Sequence, residues 1–378
     1  MKRAGIVGLG LWVPDEIRKN DAWPASFARA FHEKNETRRS HDFTHIDRQS
    51  ARRPYDELYV RHALPYENDP FKGATLRRVA SPDVPTAQGD SAAASRALED
   101  AGVDPRDVDL VLSSAIVPDR LVPSNGPAIQ HLTGCTRAAG IGVESYCSSA
   151  LAQLDLAAGL VQAGRARFVL CVQSHQIGRI NDLESPMSPI FGDGSAAFVV
   201  GEVPPDRGLV RLIRAGDGSL AGAVTHEHAR TPGATWWRDA EGPVRPGSAD
   251  LVAARRIAEN VIAFAIDTIR ELCEATRTPL DTVAVVAALQ PMVWYQGALA
   301  DGLGIPAERV PSTYADYAHL GAAGVVANLI AARRRGILRD GAASVLYAHG
   351  AGLTRYAALL RWSAGAASAA GAVSAARD

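Results

Sequence analysis

Cys147 lies in the run Ser145-Tyr146-Cys147-Ser148-Ser149-Ala150, between a short apolar stretch and a helical pattern. A helix start presents free N–H groups and a partial positive charge, which lowers a thiol pKa and favours the nucleophilic thiolate. The Cys147 N–H is also placed to donate to an oxyanion when a thioester carbonyl is attacked. The plainer alternative is a buried structural cysteine, the usual fate of a free thiol. Cys135, Cys171 and Cys273 lack this setting, Cys171 falling in mid-strand and Cys273 in mid-helix. His319 opens a second helical pattern and is the base such a nucleophile calls for; its alternative is a cap or packing role. His226-Glu227-His228 is a loop triplet. His-X-His alone does not specify a metal, and solvated loop residues account for most such triplets. Trp236, Trp237, Trp294 and Tyr295 are read as core packing, with a pocket wall as the alternative.

The elements that must position these residues alternate between strand and helix, which argues for α/β layering. Strands are expected over Ala4–Gly10, Leu110–Ile116, Ile141–Glu144 and Phe168–Gln173, with helices over Asp90–Ala101 and Ser148–Gly164. The second half repeats the alternation: helix Val252–Cys273, strand Val283–Leu289, helix His319–Arg335 and strand Ala343–Ala348. Both Cys147 and His319 are followed by an Ala-rich helix, a Gly/Arg turn and an apolar strand, so two copies of one motif would bring them to a shared cleft. The organisation expected is an N-terminal half over 1–200 carrying the cysteine, with an inserted, mobile or capping segment at about 20–75, then a C-terminal half over 201–362 carrying the histidine. Residues 363–378, nearly all Ala, Ser and Gly, form a low-complexity tail.

Bulk properties narrow the classes of function. The 378 residues carry a net charge of −1, so no global field draws nucleic acid or an anionic membrane. No apolar run is long enough to span a membrane. The N-terminus reads as a first strand rather than a signal peptide. Four scattered cysteines suggest neither a disulfide framework nor a zinc site, so a cytoplasmic location is expected. Gly8-Leu9-Gly10 invites a dinucleotide reading and fails it, because Val13 replaces the third glycine and Pro14 follows where a helix should begin.

Several motifs carry a resemblance. Ala94 through Asp119 to Pro123-Ser124, Phe191-Gly192-Asp193-Gly194, and His349-Gly350-Ala351-Gly352-Leu353-Thr354 resemble those of the ketoacyl synthase III group of thiolase-fold enzymes. The resemblance implies a thiolase-like fold of two pseudo-repeated halves in a layered αβαβα core. It implies an acyl group on Cys147 and a second oxyanion N–H from the Gly350, Ala351 and Gly352 loop. It further implies a homodimer, and a donor that is coenzyme A or an acyl carrier protein bearing phosphopantetheine, with no other cofactor and no metal. Arg48 to Arg53 would suit the carrier's acidic face, or form a solvated loop.

The departures from the family redirect the chemistry. Its decarboxylating members have a His-Gln-Ala-Asn motif where this chain reads Leu289-Gln290-Pro291-Met292. They have Asn where this chain has His319, in Ala318-His319-Leu320-Gly321-Ala322-Ala323. Leucine cannot donate a hydrogen bond. The chain looks closer to the acyltransferase subgroup of antibiotic and polyketide biosynthesis, which shares His-Leu-Gly-Ala-Ala and the pairing of Asp69-Pro70-Phe71 with Arg77-Arg78. In that subgroup Asp follows Ala-Ala and would orient the histidine; here Gly324 does. A backbone carbonyl or Asp316 would then hold His319, or nothing strong. A histidine in the region of His226 and His228 can line the acyl pocket. The expected function is transfer of an acyl group through Cys147 to a hydroxyl or amine. The alternatives are a carbon–carbon bond-forming condensing enzyme and a non-catalytic partner subunit.

Overall fold

A computed structural model describes residues 2–38, 55–231 and 241–363. The first half contains β1 (Arg3–Trp12), β2 (Ile17–Lys19), α1 (Ala25–Arg38), α2 (Asp56–His62), β3 (Leu76–Arg78), α3 (Thr86–Ala101), β4 (Leu110–Ala115), α4 (Gly126–Leu132), β5 (Ala139–Gly142), α5 (Ser149–Gln162), β6 (Phe168–His175) and β7 (Gly194–Val203). The second contains β8 (Gly208–Gly216), β9 (Thr225–His228), β10 (Val244–Gly247), α6 (Leu251–Thr276), β11 (Val285–Ala288), α7 (Tyr295–Leu303), α8 (Tyr314–Tyr317), α9 (Ala323–Arg334), β12 (Ala343–Gly350) and β13 (Thr354–Arg361).

One sheet has the order β1-β7-β6-β4-β5 and the other β11-β12-β13-β8. The directions repeat. β4 is parallel to β6, which is antiparallel to β7, which is antiparallel to β1. In the same way β11 is parallel to β12, and β12, β13 and β8 then run antiparallel in turn. α5 and α9 each touch both sheets. The apolar cluster around them draws Leu151 and Leu154 from α5, Val325 and Leu329 from α9, Phe198 from β7 and Leu346 from β12. α3 packs on the outer face of the first sheet, and α6 and α7 on that of the second. The chain is therefore an αβαβα sandwich with α5 and α9 as its central layer, the thiolase-like architecture.

Small residues set the closeness of these layers. A Cβ added at Gly8 would lie 2.3 Å from the Ala97 carbonyl oxygen, and one at Gly10 would lie 2.0 Å from that of Ala93. Gly-Leu-Gly thus lets the Ala-rich face of α3 press onto β1. The N-terminal N–H groups of α3 are held from a distant loop, Asp119 accepting from Thr86 N (2.6 Å) and Ala87 N (3.0 Å).

The described part of the inserted segment is a cap, while residues 39–54, including Arg48 to Arg53, lie outside the described residues, as do Trp236, Trp237 and residues 364–378. Trp23, Phe27 and Phe71 cluster with ring centroids 5.7–6.4 Å apart. Arg77 is 1% exposed and lies 4.5 Å over the Trp23 ring. It donates to Asn20 Oδ1, the Pro189 carbonyl and the Ala74 carbonyl. Arg77 thereby fastens the cap to the loop that leads into Phe191-Gly192-Asp193-Gly194.

Gly10→Ala should destabilise the protein by about 1–3 kcal/mol through overpacking against α3. The check is a lower denaturant midpoint at unchanged m; an unaltered midpoint would show that the layers can separate without loss.

Candidate active site

Cys147 sits on a tight elbow between β5 and α5. Tyr146 adopts φ +53°, a left-handed conformation that costs a non-glycine residue about 1 kcal/mol or more. Glu144 holds that turn, its Oε1 accepting from Tyr146 N (2.6 Å) and Ser149 Oγ (2.8 Å). Ser149 Oγ in turn accepts from Ser145 N at 2.8 Å. The helix proper begins at Ser149, two residues beyond the cysteine.

This placement corrects the expected thiolate. The Cys147 residue keeps partial exposure, yet its sulfur is packed in dense protein. Burial, then the nearby Glu144 carboxylate, push the thiol up to about 12. Desolvation therefore opposes the helix terminus and favours the protonated thiol.

His319 faces the sulfur at 3.8 Å, although it does not open a helix as expected. α9 starts at Ala323, and His319 is extended, bridging Phe191 in parallel. Its N–H donates to the Ile190 carbonyl at 2.8 Å, and its carbonyl accepts from Gly192 N at 3.1 Å. A Cβ at Gly192 would lie 1.9 Å from the Tyr317 carbonyl oxygen, so only glycine fits there. Asp193 anchors the same loop by accepting from Ala80 N and Gly178 N, each at 2.8 Å. The Phe-Gly-Asp-Gly motif is thus the cradle of the histidine backbone.

The ring is oriented by a backbone carbonyl. His319 Nδ1 lies 3.0 Å from the Gln290 carbonyl, to which it must donate. Nε2 therefore carries the lone pair, 3.8 Å from Cys147 Sγ. Gln290 is itself fixed: its amide oxygen accepts from Thr313 N (3.1 Å) and Ser312 Oγ (3.1 Å), and its amide nitrogen donates to Thr313 Oγ1 (2.8 Å). Asn328 joins this network by donating to the Ala288 carbonyl at 2.9 Å. Burial lowers His319 to about 4, so the imidazole is neutral at pH 7.

Leu289 is buried in the apolar cluster against which Cys147 packs. The Gly350–Gly352 loop abuts the elbow: a Cβ at Gly350 would lie 2.2 Å from the Ser145 carbonyl oxygen. Thr354 Oγ1 lies 3.0 Å from Ser145 Oγ and 3.2 Å from Ser148 Oγ. His226 reaches the site, its Nε2 2.9 Å from Tyr146 Oη. His228 does not share this contact; its Nδ1 donates to the Gly242 carbonyl at 2.8 Å within its own hairpin. A substrate-lining role for His228 loses its support there.

Sequence reasoning missed His175. It is the last residue of β6, donates from Nδ1 to the Gly192 carbonyl at 2.8 Å, and lies with its ring centroid 5.4 Å from that of His319. Burial and the neighbouring His319 lower it to about 3. A Cβ at Gly321 would strike its ring at 2.3 Å, so His175 and Gly321 accommodate each other. Its place at a strand end facing the cleft was the available signal. Among the described residues no group of three or more His, Cys, Asp or Glu side chains could hold a metal, and no helix is long and apolar enough to cross a membrane.

Comparisons agree with the architecture. Residues 141–218 match the model of the 3-oxoacyl-[acyl-carrier-protein] synthase III family, and residues 273–362 match that of its C-terminal region. A β-ketoacyl-[acyl-carrier-protein] synthase III of Streptomyces coelicolor is 33% identical over 306 residues, covering 77% of this chain and 87% of the relative. One from Geobacillus kaustophilus is 26% identical over 95% of this chain and 99% of its own length. The crystal structure of a Pseudomonas aeruginosa 3-oxoacyl-(acyl carrier protein) synthase III superimposes with a TM-score of 0.75 at 22% identity, covering 96% of this chain and 98% of the other. A priming β-ketosynthase from a polyketide biosynthetic pathway gives 0.75 at 24% identity, covering 96% and 97%. These names favour carbon–carbon condensation, the alternative drawn from the sequence, over transfer to a hydroxyl or amine.

Alkylation of Cys147 by iodoacetamide should be slower at pH 7 than that of a free thiol, whose pKa is about 8.5. A raised pKa leaves the thiol protonated below about 12, so the rate should still be climbing at pH 10. A plateau below pH 9, followed by intact-protein mass, would show a thiolate instead.

Proposed function

Because the chain belongs to the 3-oxoacyl-[acyl-carrier-protein] synthase III family of acyl-transferring enzymes, we propose that Cys147 takes an acyl group from a thioester donor and that His319 acts as the general base that passes it on. The donor is coenzyme A or the phosphopantetheine of an acyl carrier protein. The Cys147 S–H proton moves to His319 Nε2 as sulfur attacks the thioester carbonyl. The N–H of Cys147 and one from the Gly350–Gly352 loop stabilise the oxyanion. Its collapse expels the donor thiol, which takes the proton back from the imidazolium. The acceptor then repeats the cycle: its proton goes to Nε2, its heteroatom attacks the acyl carbon, and Cys147 leaves as the thiol. These steps call for no resident metal or further cofactor.

The acceptor that this base suits is a hydroxyl or amine. The observation that carries the reading is the tautomer: Nδ1 donates to Gln290, which leaves Nε2 as an acceptor facing the sulfur. Decarboxylative condensation calls instead for donors at the carbonyl where an enolate develops, and Leu289 offers none. Condensation is the second reading. The names of the relatives favour it, and the same lone pair can remove a proton from an α-carbon. A non-catalytic role is disfavoured by the intact Cys147–His319 pair.

A homodimer is part of this reading. Leu121 and Val122, each 83% exposed, and Ile141 on edge strand β5, 46% exposed, support an apolar subunit contact. Sedimentation should give twice the chain mass, and a monomer at micromolar concentration would remove this element.

Intact-protein mass should show Cys147 acylated by acyl-CoA or an acyl carrier protein, and Cys147→Ala unmodified. His319→Ala should slow discharge to the acceptor by about 10²–10⁴-fold. Acylation of the Cys147→Ala protein at full rate would sink the mechanism. Carbon dioxide release with a lengthened chain, on adding a malonyl thioester to the acyl-enzyme, would select condensation.

A further inference from the structure

His175 is 1% exposed, and the acyl-transfer steps leave it without a role. Its side chain projects from the inner face of the first sheet. Val169 and Cys171 share its parity on β6 and join the apolar cluster around α5 and α9, and Gln173 donates to Gln153 of α5 at 2.6 Å. The ring therefore faces the layer that carries the nucleophile and the base.

Three contacts link His175 to His319. Its Nδ1 donates to the Gly192 carbonyl at 2.8 Å, and Gly192 N donates in turn to the His319 carbonyl at 3.1 Å. Gly321, two residues beyond the base and at φ +50°, closes on the same ring: a Cβ there would lie 2.3 Å from Cδ2 and 3.1 Å from Nε2. The two imidazoles also meet directly, with centroids 5.4 Å apart and planes inclined by 65°, and Phe191 packs against each at 6.1 Å. One side chain thus braces the His319 backbone through Gly192 on one side and Gly321 on the other. His175 Nε2 has no hydrogen-bond partner among the described residues. A buried nitrogen left so costs stability, a cost that a phenylalanine packed there would avoid. What the imidazole adds over such a ring is the Nδ1 donation to the cradle.

We propose that His175 is a positioning residue for the general base: its donation to Gly192 fixes the cradle and its ring fixes the imidazole of His319, so that His319 Nε2 stays aimed at Cys147. This inference rests on Cys147 as the acyl carrier and His319 as its base. The titratable side chains around the two rings are Cys147, His226 and His349.

The test is the single-turnover rate at which propionyl-CoA acylates Cys147 in the full-length protein, followed by intact-protein mass from about pH 5 to 8. Burial holds His319 at about 4, so wild-type loading should be flat over this range. His175→Phe keeps a ring and loses the donor. It should slow loading at saturation by about tenfold or more, with the half-saturating propionyl-CoA concentration within about twofold. A loosened His319 admits water, which moves its pKa up toward the ordinary value of about 6.5. Only the neutral ring accepts the thiol proton, so loading by this variant should fall away below that pH. His175→Asn, whose amide N–H replaces the Nδ1 donor, should recover much of the rate. Gly321→Ala, which displaces the ring and leaves His175 in place, should reproduce the slow, pH-shifted loading. A flat profile at the wild-type rate in His175→Phe or Gly321→Ala, or His175→Asn as slow as His175→Phe, would overturn the positioning role. If wild-type Cys147 never loads, the acyl-carrier reading falls and this inference with it. If His319→Ala loads at the wild-type rate, the base role falls and again takes the inference with it. If both premises hold while the His175 variants load as the wild type does, only the positioning role falls.

Discussion

The bond from His319 Nδ1 to the Gln290 carbonyl is the contact on which the chemistry of this site turns. It selects the tautomer, aims the Nε2 lone pair at Cys147 and does so without a carboxylate. A carboxylate partner would favour imidazolium; a neutral carbonyl leaves the ring as a base of low pKa in a desolvated seam. The thiol is equally disinclined to ionise, being buried beside Glu144. Both partners therefore rest neutral, and charge develops only as sulfur meets an electrophile. That arrangement suits a nucleophile that should stay quiet until a thioester fills the cleft.

The fold exists to hold two such groups from opposite halves within 3.8 Å. α5 and α9 lie side by side between the sheets and start near the same point, so each half contributes one group. Glycines make the fit: Gly10 lets α3 close on β1, Gly192 lets the cradle loop reach Tyr317, and Gly350 lets the second half reach Ser145. The cap, fastened by Arg77, covers the loop behind the cradle. Among the described residues no carboxylate forms an ion pair with the buried Arg77, which makes it an expensive fastening. Its three oxygen acceptors and stacked rings make it specific to one docking geometry.

Much of this was legible in the sequence. Alternating apolar runs foretold the layers, and the two equivalent helices foretold that Cys147 and His319 would meet. What stayed hidden was long-range. The Gln290 carbonyl is a backbone group, invisible to any motif of side chains, so Gly324 looked like a missing partner when another had been supplied. The helix-start argument favours a thiolate, but sequence shows where a helix begins and not how much protein surrounds the sulfur, and at Cys147 that burial pushes the thiol pKa up. His175 escaped notice because it follows an ordinary apolar strand, and its meaning appears only beside Gly321.

His319 standing where the family has asparagine, and Leu289 where it has histidine, change the functional groups of the site in a definite way. An asparagine amide and a histidine can both donate to a developing enolate oxygen. A leucine and a lone pair cannot, until the imidazole is protonated. In the proposed transfer, however, an imidazole that has taken a proton becomes a donor beside the acyl carbonyl, so each transfer step would make the acid that the next collapse requires. On that proposal one residue alternates between both roles. The cost is that neither the Leu289 side chain nor Nε2 of the neutral His319 ring can donate to an enolate oxygen.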